Sequence, residues 1–152
     1  MVTTMPSSVD SYDFHDQIGH LLRRAYQRHV AIFQDAIPDS ELTAAQFVTL
    51  CAVKEAESCS LNDIVKSTAI DQGTIRGVIE RLKTRGLIQV TADPSDGRKL
   101  VVQATPSGLA LVERTIPFAR EATTQTYVPL NPGEQVALHF LLSKMIGAPE
   151  SH

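Results

Sequence analysis

Between Ser60 and Thr105 the hydrophobic rhythm changes from a helical period to a strand period, and turn residues mark each change. Ser60-Leu61-Asn62-Asp63 reads as a helix start, with a hydroxyl to accept a free backbone N–H and an acid three residues on. Leu61, Ile64 and Val65 then share one face. Ser67-Thr68-Ala69-Ile70 interrupts the pattern, and Asp71 is a good N-cap for a second helix. That helix puts Ile75, Val78, Ile79 and Leu82 on one stripe. Gly86 ends it, at a position that favours φ > 0. Two strand-like runs follow, Leu87–Thr91 and Leu100–Ala104, separated by Asp93-Pro94-Ser95-Asp96-Gly97-Arg98-Lys99. Pro94 stops pairing, and Asp96-Gly97 predicts a tight hairpin turn.

Two short helices, then a basic hairpin, make a winged helix-turn-helix, whose most economical use is to grip DNA. The polar face of the second helix carries Gln72, Gly73, Thr74, Arg76, Gly77, Glu80 and Arg81. Arg76 suits a guanine edge and Gln72 an adenine. Gly73 and Gly77 allow close approach, at a helix-propensity cost of about 1 kcal/mol each relative to Ala. Arg98 and Lys99 follow the turn, where they can reach phosphate or a minor groove. The expected contact set is Ser60 and Asn62 at the start of the first helix, Gln72, Gly73, Thr74, Arg76, Gly77 and Arg81 on the second, and Asp96, Arg98 and Lys99 in the wing. The bland reading is a solvated helix face beside a plain hairpin; the order of elements argues against it.

The net charge of −3 is unusual for a DNA binder, but it is unevenly distributed. Residues 60–100 hold 7 Lys/Arg against 5 Asp/Glu, whereas residues 1–59 hold 4 against 8 and residues 101–152 hold 3 against 4. The local positive patch supports binding, and the acidic remainder limits non-specific adhesion.

The run Arg81-Leu82-Lys83-Thr84-Arg85-Gly86-Leu87-Ile88, then Asp93–Lys99, then Thr105-Pro106-Ser107-Gly108 resembles the signature of MarR-type transcriptional regulators. The resemblance covers nearly the whole chain. It implies terminal helices that interlock into a dimer carrying two winged heads. Asp96 and Arg98 match an Asp-x-Arg pair whose aspartate is expected to orient the arginine. The family usually has a second Arg where this chain has Gly97.

The flanks fit a mainly α fold with a small β-hairpin wing (an α+β class). A long helical pattern runs from Asp13 to Ile37 and closes at Pro38-Asp39. Thr43-Ala44-Ala45-Gln46 is a capping box for a helix that buries Phe47, Leu50 and Cys51. Thr105 caps a helix with Pro106 in its first turn and Pro117 as an expected kink. A last helix starts at Asn131-Pro132-Gly133-Glu134 and runs to Gly147. Its broad apolar stripe, Leu138, Leu141, Leu142 and Met145, expects a partner chain. Isologous packing then gives a two-fold homodimer whose recognition helices lie about one DNA turn apart, matched to a palindromic operator in double-stranded DNA. The whole chain, 1–152, reads as one domain: helices in 12–37 and 106–147 for dimerisation, and 43–105 as the DNA-binding region.

Other chemistries find little support. There is no Gly-rich phosphate loop, nucleophile elbow or metal-spaced Cys/His set, so no enzyme, cofactor or metal is expected. His15, His20 and His29 share one helical pattern, but spacings of five and nine do not stack two imidazoles on one face. Cys51 on an apolar face reads as a small hydrophobe. Cys59 lies near a helix start, which can lower a thiol pKa, so a redox regulator working through Cys51 or Cys59 is one rival reading. A winged-helix protein-interaction module is the other rival. No apolar run reaches the length of a membrane span, and Met1–Ser11 lacks the order of a signal peptide, so a frayed tail and a reducing cytoplasm are expected.

The richest polar cluster outside the head is His15, His20, Arg23, Arg24, Tyr26, Gln27 and His29. One reading is a solvated face with inter-subunit salt bridges. The other is an anion pocket between the first helices and the head, formed by His15, His20 and Arg24 with Phe47 and Cys51. Arg suits a carboxylate, and His reads a ring hydroxyl or nitrogen. Residues 17–29 and 68–72 also resemble the MarR subgroup that represses nicotinate degradation. The effector implied by that resemblance is a small aromatic or pyridine carboxylate such as 6-hydroxynicotinate.

Overall fold

The computed structural model describes residues 11–147. The frayed tail expected over Met1–Ser11 falls almost entirely outside them. A one-turn 3-10 helix, Phe14–Asp16, precedes α1 (Ile18–Ala36), α2 (Ala44–Ala56), α3 (Leu61–Thr68) and α4 (Gln72–Thr84). Strands β1 (Ile88–Ala92) and β2 (Leu100–Ala104) follow, then α5 (Pro106–Tyr127) and α6 (Pro132–Met145).

Capping chemistry sets the helix starts where the sequence predicts them. Thr43 and Gln46 close a reciprocal box on α2, Ser60 and Asp63 do so on α3, and Asn131 and Glu134 on α6. Each pair satisfies two backbone donors that the helix leaves unbonded. Asp71 caps α4 and Thr105 caps α5. Gly86 takes φ 71° after α4. α3 runs through Ser67 and Thr68, and Ala69 then turns the chain in the left-handed region at φ 59°.

The strands pair antiparallel with Ile88 opposite Ala104 and Ala92 opposite Leu100. Leu87, expected to open β1, lies before it; its N–H bonds the Leu82 carbonyl and closes the end of α4 instead. Cys59 adds a short third rung, exchanging backbone hydrogen bonds with Val102 at 3.2 and 2.8 Å. The core joins α2, α3, α4 and the base of the wing through Leu50, Val53, Ile64, Ile75, Leu82 and Val102, with Phe33, Leu111 and Val112 linking it to α1 and α5.

Three further expectations fail. The helical pattern over 13–37 is not one helix: Gln17 is extended (φ −80°, ψ 144°) and separates the 3-10 turn from α1. The Asp96-Gly97 hairpin turn is also not formed. Residues 93–99 instead make two successive turns, with Asp96 N–H on the Asp93 carbonyl and Lys99 N–H on the Asp96 carbonyl, and Gly97 keeps an ordinary φ. Pro94 occupies the first of these turns and displaces the tighter alternative. The last helix stops at Met145, before Gly147. α5 passes Pro117 within a single helix.

Candidate nucleic-acid interface and effector region

The wing folds back over the start of the helix pair. Ser60, Asn62, Gln72, Arg98 and Lys99 line one concavity, with Leu61 and Leu100 as its apolar walls. Five of the eleven expected DNA-contact residues therefore converge from α3, α4 and the wing. Asp96 shapes the wing differently from expectation. Its carboxylate accepts the Arg98 backbone N–H at 3.1 Å, and among the described residues no ion pair joins it to the Arg98 guanidinium. The aspartate fixes the turn, and the guanidinium is exposed.

α4 buries Ile75, Val78, Ile79 and Leu82. At about 100° per residue, Gly73, Gly77, Glu80 and Thr84 form the line directly opposite that stripe, with the glycines at its N-terminal end. Gln72 and Arg76 flank it on one side, Thr74 and Arg81 on the other. A Cβ at Gly77 would meet nothing within 4 Å, so the protein's own packing does not require glycine there. Arg81 lines a different concavity, with Glu80 and Arg85 of the α4 end and Glu41, Thr43 and Gln46 at the start of α2. Asp71 holds Thr74 twice: one carboxylate oxygen accepts the Thr74 N–H at 2.9 Å, the other the Thr74 hydroxyl at 2.8 Å. These bonds keep the Asp71 carboxyl below the usual carboxylate range.

The expected effector residues fall into two groups within a protomer. The break at Gln17 folds His15 back, so its ring lies 5.4 Å from that of His20, with Phe14 stacked on His15 at 3.9 Å. The spacing argument against a His15–His20 contact assumed a continuous helix, which the chain does not form. Asp13 accepts from His15 Nδ1 at 2.8 Å, which lowers the Asp13 pKa. Arg24 is exposed one turn beyond His20. Phe47, by contrast, packs on Phe33 at 5.6 Å, and Cys51 lies one turn further along α2. His20 and Phe33 are separated by about 20 Å of helix at 1.5 Å per residue. One protomer does not bring the two groups together.

The sequence pattern of the MarR family matches residues 42–100, the segment from α2 to the wing. The HTH-type transcriptional repressor NicR of Pseudomonas putida is 49% identical over 152 residues, covering 97% of this chain and 96% of NicR. The chain belongs to the MarR family. Among solved structures, Bordetella bronchiseptica BpsR, whose DNA binding is regulated by 6-hydroxynicotinic acid, is 61% identical with a TM-score of 0.81, covering 91% of this chain and 99% of that one. PcaV of Streptomyces coelicolor, solved with its natural ligand, is 27% identical with a TM-score of 0.79, covering 93% and 100%. NicR is named as a transcriptional repressor and PcaV as a transcriptional regulator.

Both thiols depart from the redox reading. Cys51 and Cys59 are free, and burial pushes both pKa values up. For Cys59 the nearby Asp63 adds to the effect, and the strand-like rung to Val102 buries it. The helix start beside Cys59 therefore does not activate it. Among the described residues no group of three His, Cys, Asp or Glu side chains could hold a metal ion. No described helix is long and apolar enough to cross a membrane.

Two further structural roles have no counterpart in the sequence pattern alone. Arg28 donates to the Thr126 and Gln125 carbonyls at 2.9 and 3.3 Å, closing the C-terminal end of α5 with a cation. Beside it His29 Nδ1 meets the Thr126 hydroxyl at 2.8 Å. Gly108 is demanded by packing, since a Cβ there would lie 2.1 Å from the Leu87 carbonyl oxygen. Only the Thr-Pro-Ser-Gly run hinted at it.

Proposed function

We propose that the chain is a homodimeric, ligand-responsive transcriptional repressor of the cytoplasm, without enzymatic activity. It binds a palindromic operator in double-stranded DNA and leaves it when a pyridine carboxylate such as 6-hydroxynicotinate binds. The observation that carries the reading is the concavity in which Ser60, Asn62, Gln72, Arg98 and Lys99 meet, at the end of α4 whose outer edge carries Gly73 and Gly77. That edge lets the recognition helix seat its backbone close to base edges, while Arg76 and Gln72 read them and Arg98 and Lys99 hold the flanking strand. Residues 43–105 act as the head within a single 1–152 domain.

Dimerisation accounts for the terminal helices. α6 buries none of its residues, and Val136 and Phe140 are 72% and 58% exposed. Ile18 and Leu21 at the start of α1 are 61% and 50% exposed. Apolar faces of this extent are covered by another chain in soluble proteins. A second copy also supplies the missing proximity between a His15–His20–Arg24 group and a Phe47–Cys51 group. The effector class is supported by the 61% identity to a protein regulated by 6-hydroxynicotinic acid. Arg24 is the cation that a ring carboxylate needs, since a buried anion without one costs several kcal/mol.

The test is binding to a labelled duplex from the DNA upstream of the chain's own coding sequence, titrated with salt and with 6-hydroxynicotinate. A steep salt dependence and release by the ligand are expected. Salt-independent or absent binding defeats the DNA reading. Binding unaffected by any pyridine or benzene carboxylate defeats the effector reading.

A further inference from the structure

The hydrogen-bond polarity at the start of α4 carries one step further, resting on the DNA-binding reading above. Thr74 is the third residue of the helix, exposed, on the flank of the glycine edge opposite Arg76. Its hydroxyl lies 2.8 Å from one Asp71 carboxylate oxygen, and the other oxygen takes the Thr74 N–H. An ionised carboxylate accepts only, so the hydroxyl must donate. A hydroxyl has one proton, and Asp71 holds it. What Thr74 offers outward is therefore a pair of lone pairs and a methyl group.

That polarity selects among base edges. In the major groove adenine presents its N6 amino group and cytosine its N4 amino group. Guanine presents two acceptors, and thymine a carbonyl acceptor beside a methyl. Lone pairs facing guanine O6 or N7, or thymine O4, leave both acceptors without a proton. We propose that Thr74 is an acceptor-only specificity residue, reading an adenine or cytosine amino group on the strand it faces, and that Asp71 is the positioning residue that fixes its polarity.

Three conservative variants separate the roles. Thr74→Val keeps the shape and the backbone cap but removes the acceptor. Thr74→Ser keeps the acceptor and the bond to Asp71. Asp71→Asn keeps a capable N-cap, but in the present pose its amide N–H₂ replaces the oxygen bonded to the hydroxyl. The amide then donates to Thr74 and turns the hydroxyl proton outward.

The experiment is fluorescence anisotropy of the full-length protein on the upstream duplex and on every single-base-pair variant across the bound site. Wild type should show one position per half-site at which adenine or cytosine is preferred over guanine or thymine by about fivefold, the scale of one hydrogen bond. Thr74→Val should lose that preference at that position alone, and Thr74→Ser should keep it. Asp71→Asn should shift it toward guanine or thymine, a change of sign that a purely structural cap cannot produce. A duplex carrying purine for the adenine, or 2-pyrimidinone for the cytosine, should cost wild type the same factor and Thr74→Val nothing. Sequence-dependent binding with the same base profile in wild type, Thr74→Val and Asp71→Asn overturns this inference and leaves the DNA reading standing. Wild type without any sequence-dependent binding overturns both.

Discussion

Arg85, the residue that ends the recognition helix, donates to the Asp39 carboxylate at 2.7 Å and ties that helix to the corner between α1 and α2. Asp39 is held in turn by the Glu41 N–H at 3.0 Å. Burial alone would raise the Asp39 pKa, but the Arg85 hydrogen bond, the Glu41 N–H and the Arg85 charge together bring it below the usual 3.8. The pair should therefore stabilise the fold at neutral pH, with the contribution lost as pH falls from about 4 through the lowered folded value. A double-mutant cycle with Asp39→Asn and Arg85→Gln, followed by chemical denaturation, should give a coupling of about 1 kcal/mol at pH 7. The same coupling at pH 7 and in strong acid would contradict the assignment.

Glycines 77 and 108 should respond to alanine in opposite ways. Gly108→Ala forces a Cβ into the Leu87 carbonyl, 2.1 Å away, at the joint between α5 and the wing. The expected loss is about 2 kcal/mol or more, read as a lowered Tm. Gly77→Ala meets open space, so the fold should gain up to about 1 kcal/mol from helix propensity. Its DNA affinity should nonetheless fall. A Gly77→Ala protein both more stable and equally tight on DNA would remove the close-approach role.

Glu57 sits at φ 64°, ψ −46°, with the Ser58 N–H on the Ala56 carbonyl at 2.6 Å, a three-residue turn of the strained kind. Glycine adopts that backbone without the Cβ penalty. Glu57→Gly should raise stability by about 1 kcal/mol in thermal unfolding. A neutral or negative change would mean that the side chain contributes more than its backbone costs.

On the wing, Arg98→Ala should weaken operator binding by at least about 1 kcal/mol while the Tm stays unchanged, because the tip is exposed. Lys99→Ala should weaken operator and scrambled duplexes alike, as loss of a phosphate contact does. Unchanged affinity of Arg98→Ala at physiological salt would rule out a reading role for the wing.

Arg24→Ala and His20→Ala should keep operator binding but lose release by 6-hydroxynicotinate, a coupling of about 1–3 kcal/mol in wild type. Calorimetry is the direct check. Equal ligand affinity in wild type and both variants would move the site elsewhere.

Local chemistry was legible in the sequence. Hydroxyl, carboxylate and amide caps at Thr43, Ser60, Asp71, Thr105 and Asn131, the left-handed Gly86 and the buried stripe of α4 depend on neighbours within a few residues. Their spacing alone therefore fixes them. The order of helices and strands was legible in the same way. The tertiary structure decided what depends on distant partners or on competition between turns. The break at Gln17 brought His15 onto His20, the two turns of 93–99 overrode Asp96-Gly97, and the rung to Val102 buried Cys59. Asp39 and Arg85, 46 residues apart, carry no mutual signal in the chain. Their bond exists because the end of α4 and the α1–α2 corner are held side by side by the core, and such proximity is a property of packing rather than of sequence period.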